Sequence, residues 1–187
     1  DMTKALVLCE QELERYVNHF CRDSIYAFQE ELKNGFMTVP GGHRVGVAGQ
    51  VILDQGEIKG MKHITFLCVR LSHQIKGTAD TVIPYLYEDK QLRNTLIISP
   101  PGCGKTTMLR DMVRQISNGN AYGEGVCVSV IDERSEIAGC YLGKPQNDVG
   151  FRTDVLDGCP KEKGLMMMLR SMAPKVVAVD ELGGKED

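Results

Sequence analysis

Two hydrophobic periods follow one another along the chain. From Cys9 to Cys21 and again from Ser24 to Asn34, apolar residues recur at helical spacing; the second stretch sets Ile25, Phe28 and Leu32 on one face before Asn34-Gly35 stops it. Alternation then takes over. Phe36 to Val39, Val45 to Leu53 and Ile64 to Leu71 read as strands, with Pro40-Gly41-Gly42 and Asp54-Gln55-Gly56 as the turns between them. Beyond residue 90 the pattern changes to short, continuous apolar runs: Leu96-Ile97-Ile98, Val126 to Ile131 and Val176 to Val179. Such β-branched runs suit parallel strands buried on both faces. Met108, Leu109, Met112, Val113 and Ile116 form a helical stripe ended by Asn118-Gly119, and Pro160 opens a second helix carrying Leu165, Met166, Leu169 and Met172. The Met166-Met167-Met168 run could make an adaptable surface, but at helical spacing it is expected to pack in the core. Residues Gly139 to Cys159, glycine-rich and polar, are expected to form a long loop. These elements predict an α+β domain with its linker over residues 1–89, the segment Gly77 to Asp89 joining it to an α/β domain with a parallel sheet over 90–187. Pro84 argues against one uninterrupted helix in the joining segment.

Chemistry enters at Ser99 to Thr107, which reads Ser-Pro-Pro-Gly-Cys-Gly-Lys-Thr-Thr. It stands directly after an apolar run and directly before a helical pattern, the setting a phosphate-binding loop requires. Gly102 and Gly104 let the backbone curl so that amides converge on phosphate oxygens, with Pro101 and Cys103 lining the same loop, and the helix start adds its partial positive charge. Lys105 would reach the outer phosphates, Thr106 would offer its hydroxyl to Mg2+, and Thr107 would line the loop or cap the helix. One position departs from the pattern, Ser99 standing where the first glycine is usual. ATP with Mg2+ is the expected ligand. Val176 to Val179 then runs into Asp180-Glu181-Leu182-Gly183-Gly184, and two carboxylates at a strand's C-terminal edge can hold a Mg2+ shell and orient an attacking water. Val126 to Ile131 likewise runs into Asp132-Glu133-Arg134-Ser135-Glu136. If this strand is parallel to the others, Glu133 and Glu136 reach the same edge; a charged turn pairing Arg134 with its neighbours accounts for the segment equally well.

With Val130 to Gly139, Lys144 to Gly150, Arg152 to Val155, Val179-Asp180-Glu181 and, upstream, Gly35 to Gly46 and Ile75-Lys76-Gly77, the chain resembles the stage III sporulation AA family over nearly its whole length. These are P-loop ATPases of endospore-forming bacteria related to the ATPases of type II and type IV secretion systems. The resemblance implies a RecA-like core, with Lys105 and Thr106 in Walker A and Asp180 with Glu181 in Walker B. It puts Glu133 or Glu136 in the acidic segment called the aspartate box. Asp180 would act through Mg2+, and the water-orienting role would fall to Glu181, Glu136 or Glu133. The resemblance further implies a homohexamer acting on membrane proteins of a secretion-like sporulation complex, in the mother-cell cytoplasm and at the membrane through partners. Because such a core continues with more strands after Walker B, the chain is expected to be a C-terminally truncated part of a longer ATPase. Two other readings are a nucleic-acid remodelling ATPase and a nucleotide-dependent scaffold without turnover.

Composition adds exclusions. A net charge of -3 over 187 residues gives no electrostatic footprint for nucleic acid, and no apolar run approaches the roughly 20 residues needed to span a bilayer. The start, Asp1-Met2-Thr3-Lys4, reads as carrying no secretory signal. Seven cysteines, odd in number and without Cys-x-x-Cys, speak against a disulfide framework or zinc site and for a reducing compartment. His43, His63 and His73 lack metal-binding spacing. Arg44, in the Pro40 to Arg44 turn, and Arg70 are the arginines that the secretion ATPases would direct attention to; neither is identified as a finger.

Overall fold

A computed structural model describes residues 8–21 and 28–181; Ile25, the rest of the helical pattern before Phe28, and Leu182-Gly183-Gly184 lie outside the described residues. The chain divides into two compact units between Ser72 and His73.

In the first unit α1 (Glu10–Phe20) begins where the Glu12 carboxylate accepts the Cys9 amide at 2.8 Å, which satisfies a donor the helix leaves orphaned. A short α2 (Gln29–Lys33) follows, with Phe28 and Leu32 buried. β1 (Phe36–Val39), β2 (His43–Asp54) and β3 (Glu57–Arg70) form an antiparallel sheet in that order. Both expected turns are present, the second closing Asp54 against Glu57 with Gln55 at φ 51° and Gly56 at φ 88°. Two left-handed residues in a two-residue loop are what the right-handed twist of a hairpin selects. The hairpin kinks where its register shifts between Ala48 and Gln50; a Cβ on Gly49 would stand 2.5 Å from the His63 carbonyl oxygen, so only glycine fits there. Arg44 lies opposite Arg70 in the ladder, its guanidinium 3.6 Å above the Phe36 ring.

In the second unit the segment around Gly77 to Asp89 contributes Ala79, Ile83 and Leu86 to the core, the last two in a 3-10 turn (Ile83–Leu86) that Pro84 suits. The small ladder of β4 (Tyr87–Glu88) and β5 (Gln91–Leu92) follows, then α3 (Lys105–Asn118), whose end at Gly119, φ 88°, is the expected stop. A second small ladder, β6 (Gly119–Asn120) with β7 (Gly123–Glu124), leads to β8 (Val128–Asp132), β9 (Thr153–Asp157), α4 (Lys161–Ser171) and β10 (Val176–Val179). The fold is thus mixed α/β, with one three-stranded parallel sheet ordered β10-β8-β9. Met112, Val113 and Ile116 of α3 pack against Val128, Val130 and Ala178 of that sheet in one core.

Four expectations change. Leu96-Ile97-Ile98 forms no strand: Leu96 is 66% and Ile98 85% exposed, and no described residue pairs with this segment. The third parallel strand is instead β9, inside the stretch expected to be loop; Thr153 to Asp157 pairs residue for residue with Val128 to Asp132, which carries its backbone groups into a ladder. β10 is only partly buried, because it sits at the sheet's edge and leaves full burial to central β8. On α4 the core face is the opposite one. Gly164 and Met168 turn inward while Leu165, Met166, Met167, Leu169 and Met172 are exposed, since the helix lies so close on β8 that a Cβ at Gly164 would come within 2.7 Å of Ile131 Cγ2.

Candidate functional site

The loop before α3 is curled by Gly102 (φ 76°) and Gly104 (φ 82°), a left-handed backbone that costs glycine nothing. A Cβ at either would meet nothing within 4 Å, so it is the left-handed backbone and not a crowded neighbour that favours glycine at these positions. Lys105 folds back over it, its Nζ donating to the carbonyls of Ser99 at 3.0 Å and Pro100 at 3.1 Å. The ammonium is therefore held at the loop by weak, replaceable acceptors, where phosphate oxygens would compete as charged ones. Cys103 is exposed and free, as are Cys9, Cys68 and Cys127; none of the seven cysteines forms a disulfide. Thr107 turns its carbonyl to the Thr78 hydroxyl at 3.4 Å, which ties the helix start to the segment after Gly77.

The first turn of α3 meets the edge of the sheet. Thr106 Oγ1 donates to Asp180 Oδ2 at 2.8 Å, and Glu181, the next residue, is held at φ 49°, a conformation that costs a non-glycine residue about 1 kcal/mol. Glu181 pairs with Arg134 at 2.9 Å, and Glu133 with Lys161 at 2.8 Å. The charged turn is thus real, but its arginine reaches across to the next strand end. Glu136 is half-buried, and its amide donates to Asp132. Lys105, Thr106, Asp180, Glu181, Glu133 and Glu136 consequently gather about the C-terminal ends of the parallel strands. The two residues that would hold Mg2+, Thr106 and Asp180, already share a hydrogen bond through hard oxygen donors; this ion takes few protein ligands and completes its shell with water and phosphate. Among the described residues no group of three or more His, Cys, Asp or Glu forms a separate metal cluster.

Three residues that sequence reasoning did not single out complete the site. Asp132 faces Asp157 in the ladder, and Asp180 follows Val179 as Asp132 follows Val179's partner Ile131, so three neighbouring strands end on carboxylates at one level. Asp132 accepts the amides of Glu136, Ile137 and Ala138 at 2.8, 3.2 and 2.8 Å, which shapes the loop carrying the glutamates. Burial nevertheless pushes its pKa up, and the nearby Asp180 adds to this. Asp157, pushed up by burial and by Asp132, accepts the Ser135 hydroxyl at 2.6 Å, and the buried Cys140 thiol beside it is pushed up to about 12 by burial and the two carboxylates. The third residue, Arg110 on α3, is buried and donates to the carbonyls of Glu136 and Ile137. The only local signal for Asp157 was the Leu-Asp-Gly ending of an apolar stretch; Arg110 carried none.

Comparisons with known proteins bear on the family of the chain and add no structural template. No solved structure matches the chain. Stage III sporulation protein AA of Bacillus subtilis (strain 168) is 52% identical over 164 residues, which cover 88% of this chain and 53% of that protein. The chain thus spans about half the length of the curated relative it matches. The family described as sporulation stage III, protein AA, matches residues 1–187 from end to end, and the chain belongs to that family.

Proposed function

We propose that this chain is the ATP-binding part of a Mg2+-dependent ATPase with a RecA-like core, acting in endospore formation. The observation that carries the reading is the 2.8 Å hydrogen bond from Thr106 to Asp180, which joins the start of the phosphate-loop helix to a carboxylate at the end of a parallel strand. In phosphoryl transfer to water the protein has little covalent chemistry to do; it positions the groups and stabilises charge. The loop amides around Gly102 to Gly104 and the start of α3 would cradle the phosphates, and Lys105 would exchange its carbonyl partners for phosphate oxygens. Mg2+, when bound, would supply positive charge that offsets the charge developing on the phosphate in the transition state. Thr106 and Asp180 would hold its shell, and Glu181 would orient the water, with Glu136 and then Glu133 as the alternatives. The relative's name supports the sporulation setting. Resemblance to secretion ATPases supports a full-length homohexamer that works on membrane proteins of a secretion-like complex from the mother-cell cytoplasm. Among the described residues no helix is long and apolar enough to cross a membrane.

A second reading, a scaffold that binds ATP without turning it over, is favoured by the ion pairs that occupy Glu133 and Glu181. ATP binding and hydrolysis by the full-length protein separate the two. Lys105→Ala should abolish turnover and strongly weaken binding, whereas the glutamine substitution at the water-orienting glutamate should keep binding and cut turnover by about 100-fold or more. Parent-rate hydrolysis in Lys105→Ala removes the ATPase reading. Tight binding by the parent with no turnover leaves the scaffold, and stimulation by nucleic acid would favour a remodelling role.

A further inference from the structure

The carboxylates at the ends of β8 and β10, Asp132 and Asp180, lie near one buried cation. Arg110 is 6% exposed, and its guanidinium lies in the fields of both Asp132 and Asp180. Nε donates to the Ile137 carbonyl at 2.5 Å and Nη2 to the Glu136 carbonyl at 2.6 Å. The amides of the same two residues, with that of Ala138, are held by Asp132. The loop that carries Glu133 and Glu136 is therefore gripped on both sides of its backbone, its amides by β8 and its carbonyls by α3. A planar fork can take two carbonyls at once while leaving its charge beside the carboxylates; an ammonium is a point donor and cannot span both in the same way.

We propose that Arg110 is a positioning residue that couples the phosphate-loop helix to the 132–138 loop and tempers the negative charge that a divalent cation meets at Asp180. Any shift of α3 on nucleotide binding then reaches Glu136 directly through the guanidinium, and Glu133 only through the loop they share. Its consequence for turnover rests on the ATPase reading; the coupling itself does not.

The test uses the full-length protein with Arg110→Lys, which keeps the charge but loses the fork, and Arg110→Met, which loses both. In nucleotide-free protein, hydrogen exchange at the amides of Glu136, Ile137 and Ala138 should be about tenfold faster in Arg110→Lys, with the amides of β8 unchanged. Equal protection of the loop overturns the coupling. Binding of a fluorescent ATP analogue, titrated with Mg2+, should need several-fold less Mg2+ in Arg110→Met and an unchanged amount in Arg110→Lys; an unchanged requirement in Arg110→Met overturns the electrostatic half. A residue that only stabilised the fold would not tighten Mg2+. In turnover, Arg110→Lys should lose about tenfold in kcat with KM within about threefold of the parent, and a parent-like kcat overturns the positioning role of Arg110 in hydrolysis. If the parent takes up no nucleotide while the exchange effect is present, the ATPase reading fails and the coupling stands. If the parent hydrolyses ATP and the loop amides are indifferent to Arg110, the coupling fails and the ATPase reading stands.

Discussion

Asp132 and Asp157 are ionisable groups placed where ionisation is costly, and this gives the second unit a signed response to pH. Burial raises both pKa values, so their contribution to stability is fully present below the unfolded carboxylate pKa and is lost as pH rises through the folded one. Asp111 and Asp148 run the other way. Asp148 is held low first by its hydrogen bond from Lys76; Asp111, which burial alone would raise, is held low by the Ala79 amide, Arg114 and Gln115. Their contribution is present above the unfolded pKa and is lost as pH falls. Asp157→Asn keeps an oxygen for the Ser135 hydroxyl but removes the charge. It should raise the thermal midpoint by about 2–4 °C at pH 8 and lose that gain towards pH 4, as calorimetry at the two pH values would show. Asp111→Asn should instead lower the midpoint at pH 7, by less as the pH drops. At this scale the curl of the candidate loop at Gly102 and Gly104 was legible because its pattern is local: lysine, threonine and glycines stand at fixed spacing. The roles of Asp132, Asp157 and Arg110 depend on which strand end lies beside which, and nothing within a few residues of any of them states that register.

At the scale of elements, α4 shows where periodicity stops informing. Its apolar residues cover too much of the helix to name one inner face, and the face is chosen by the absence of a side chain at Gly164. Gly164→Val would drive its branched carbons into Ile131 and Leu156 and should cost about 2 kcal/mol in urea unfolding, whereas Met166→Ala, on the exposed side, should stay within about 0.5 kcal/mol. Equal costs would mean that the helix is rotated from this placement. Of the antiparallel strands, β1 was legible to the residue and β2 to within two, since alternation and glycine turns are both local, whereas β3 begins at Glu57, seven residues before the expected Ile64, because its first half is largely polar and exposed. β9 was not legible, because its residues pair with a strand more than twenty positions earlier, and its flanking glycines and polar residues read as loop.

At the scale of the molecule, the apolar segment before the phosphate loop lies outside the ladder of its own unit. Leu96 and Ile98 are exposed, so Ile98→Ala in this chain should change stability by no more than about 0.5 kcal/mol in chemical denaturation. A loss above about 2 kcal/mol would show that the segment is packed as a core strand after all. The sequence pattern announced a buried strand there, and burial is a property of partners as much as of residues: without a ladder neighbour only Ile97 of the run packs against the core, while Leu96 and Ile98 stay exposed. Mixed architecture and the gathering of the candidate groups at one sheet edge were legible from chain order alone. The division between Ser72 and His73 was not, because the packing of Ala79, Ile83 and Leu86 into the second unit leaves no compositional mark.

The outward stripe of α4 also grades its methionines by their access to an oxidant. Met166 and Met167 are about half exposed while the adjacent Met168 is 5% exposed, so three consecutive thioethers differ only in access to an oxidant. Brief treatment with dilute peroxide, read by peptide mass spectrometry, should add oxygen to Met166 and Met167 well before Met168. Each sulfoxide would turn an apolar, flexible side chain into a polar one on the exposed face, and reduction of the sulfoxides would restore it, while the packed Met168 stays unchanged throughout.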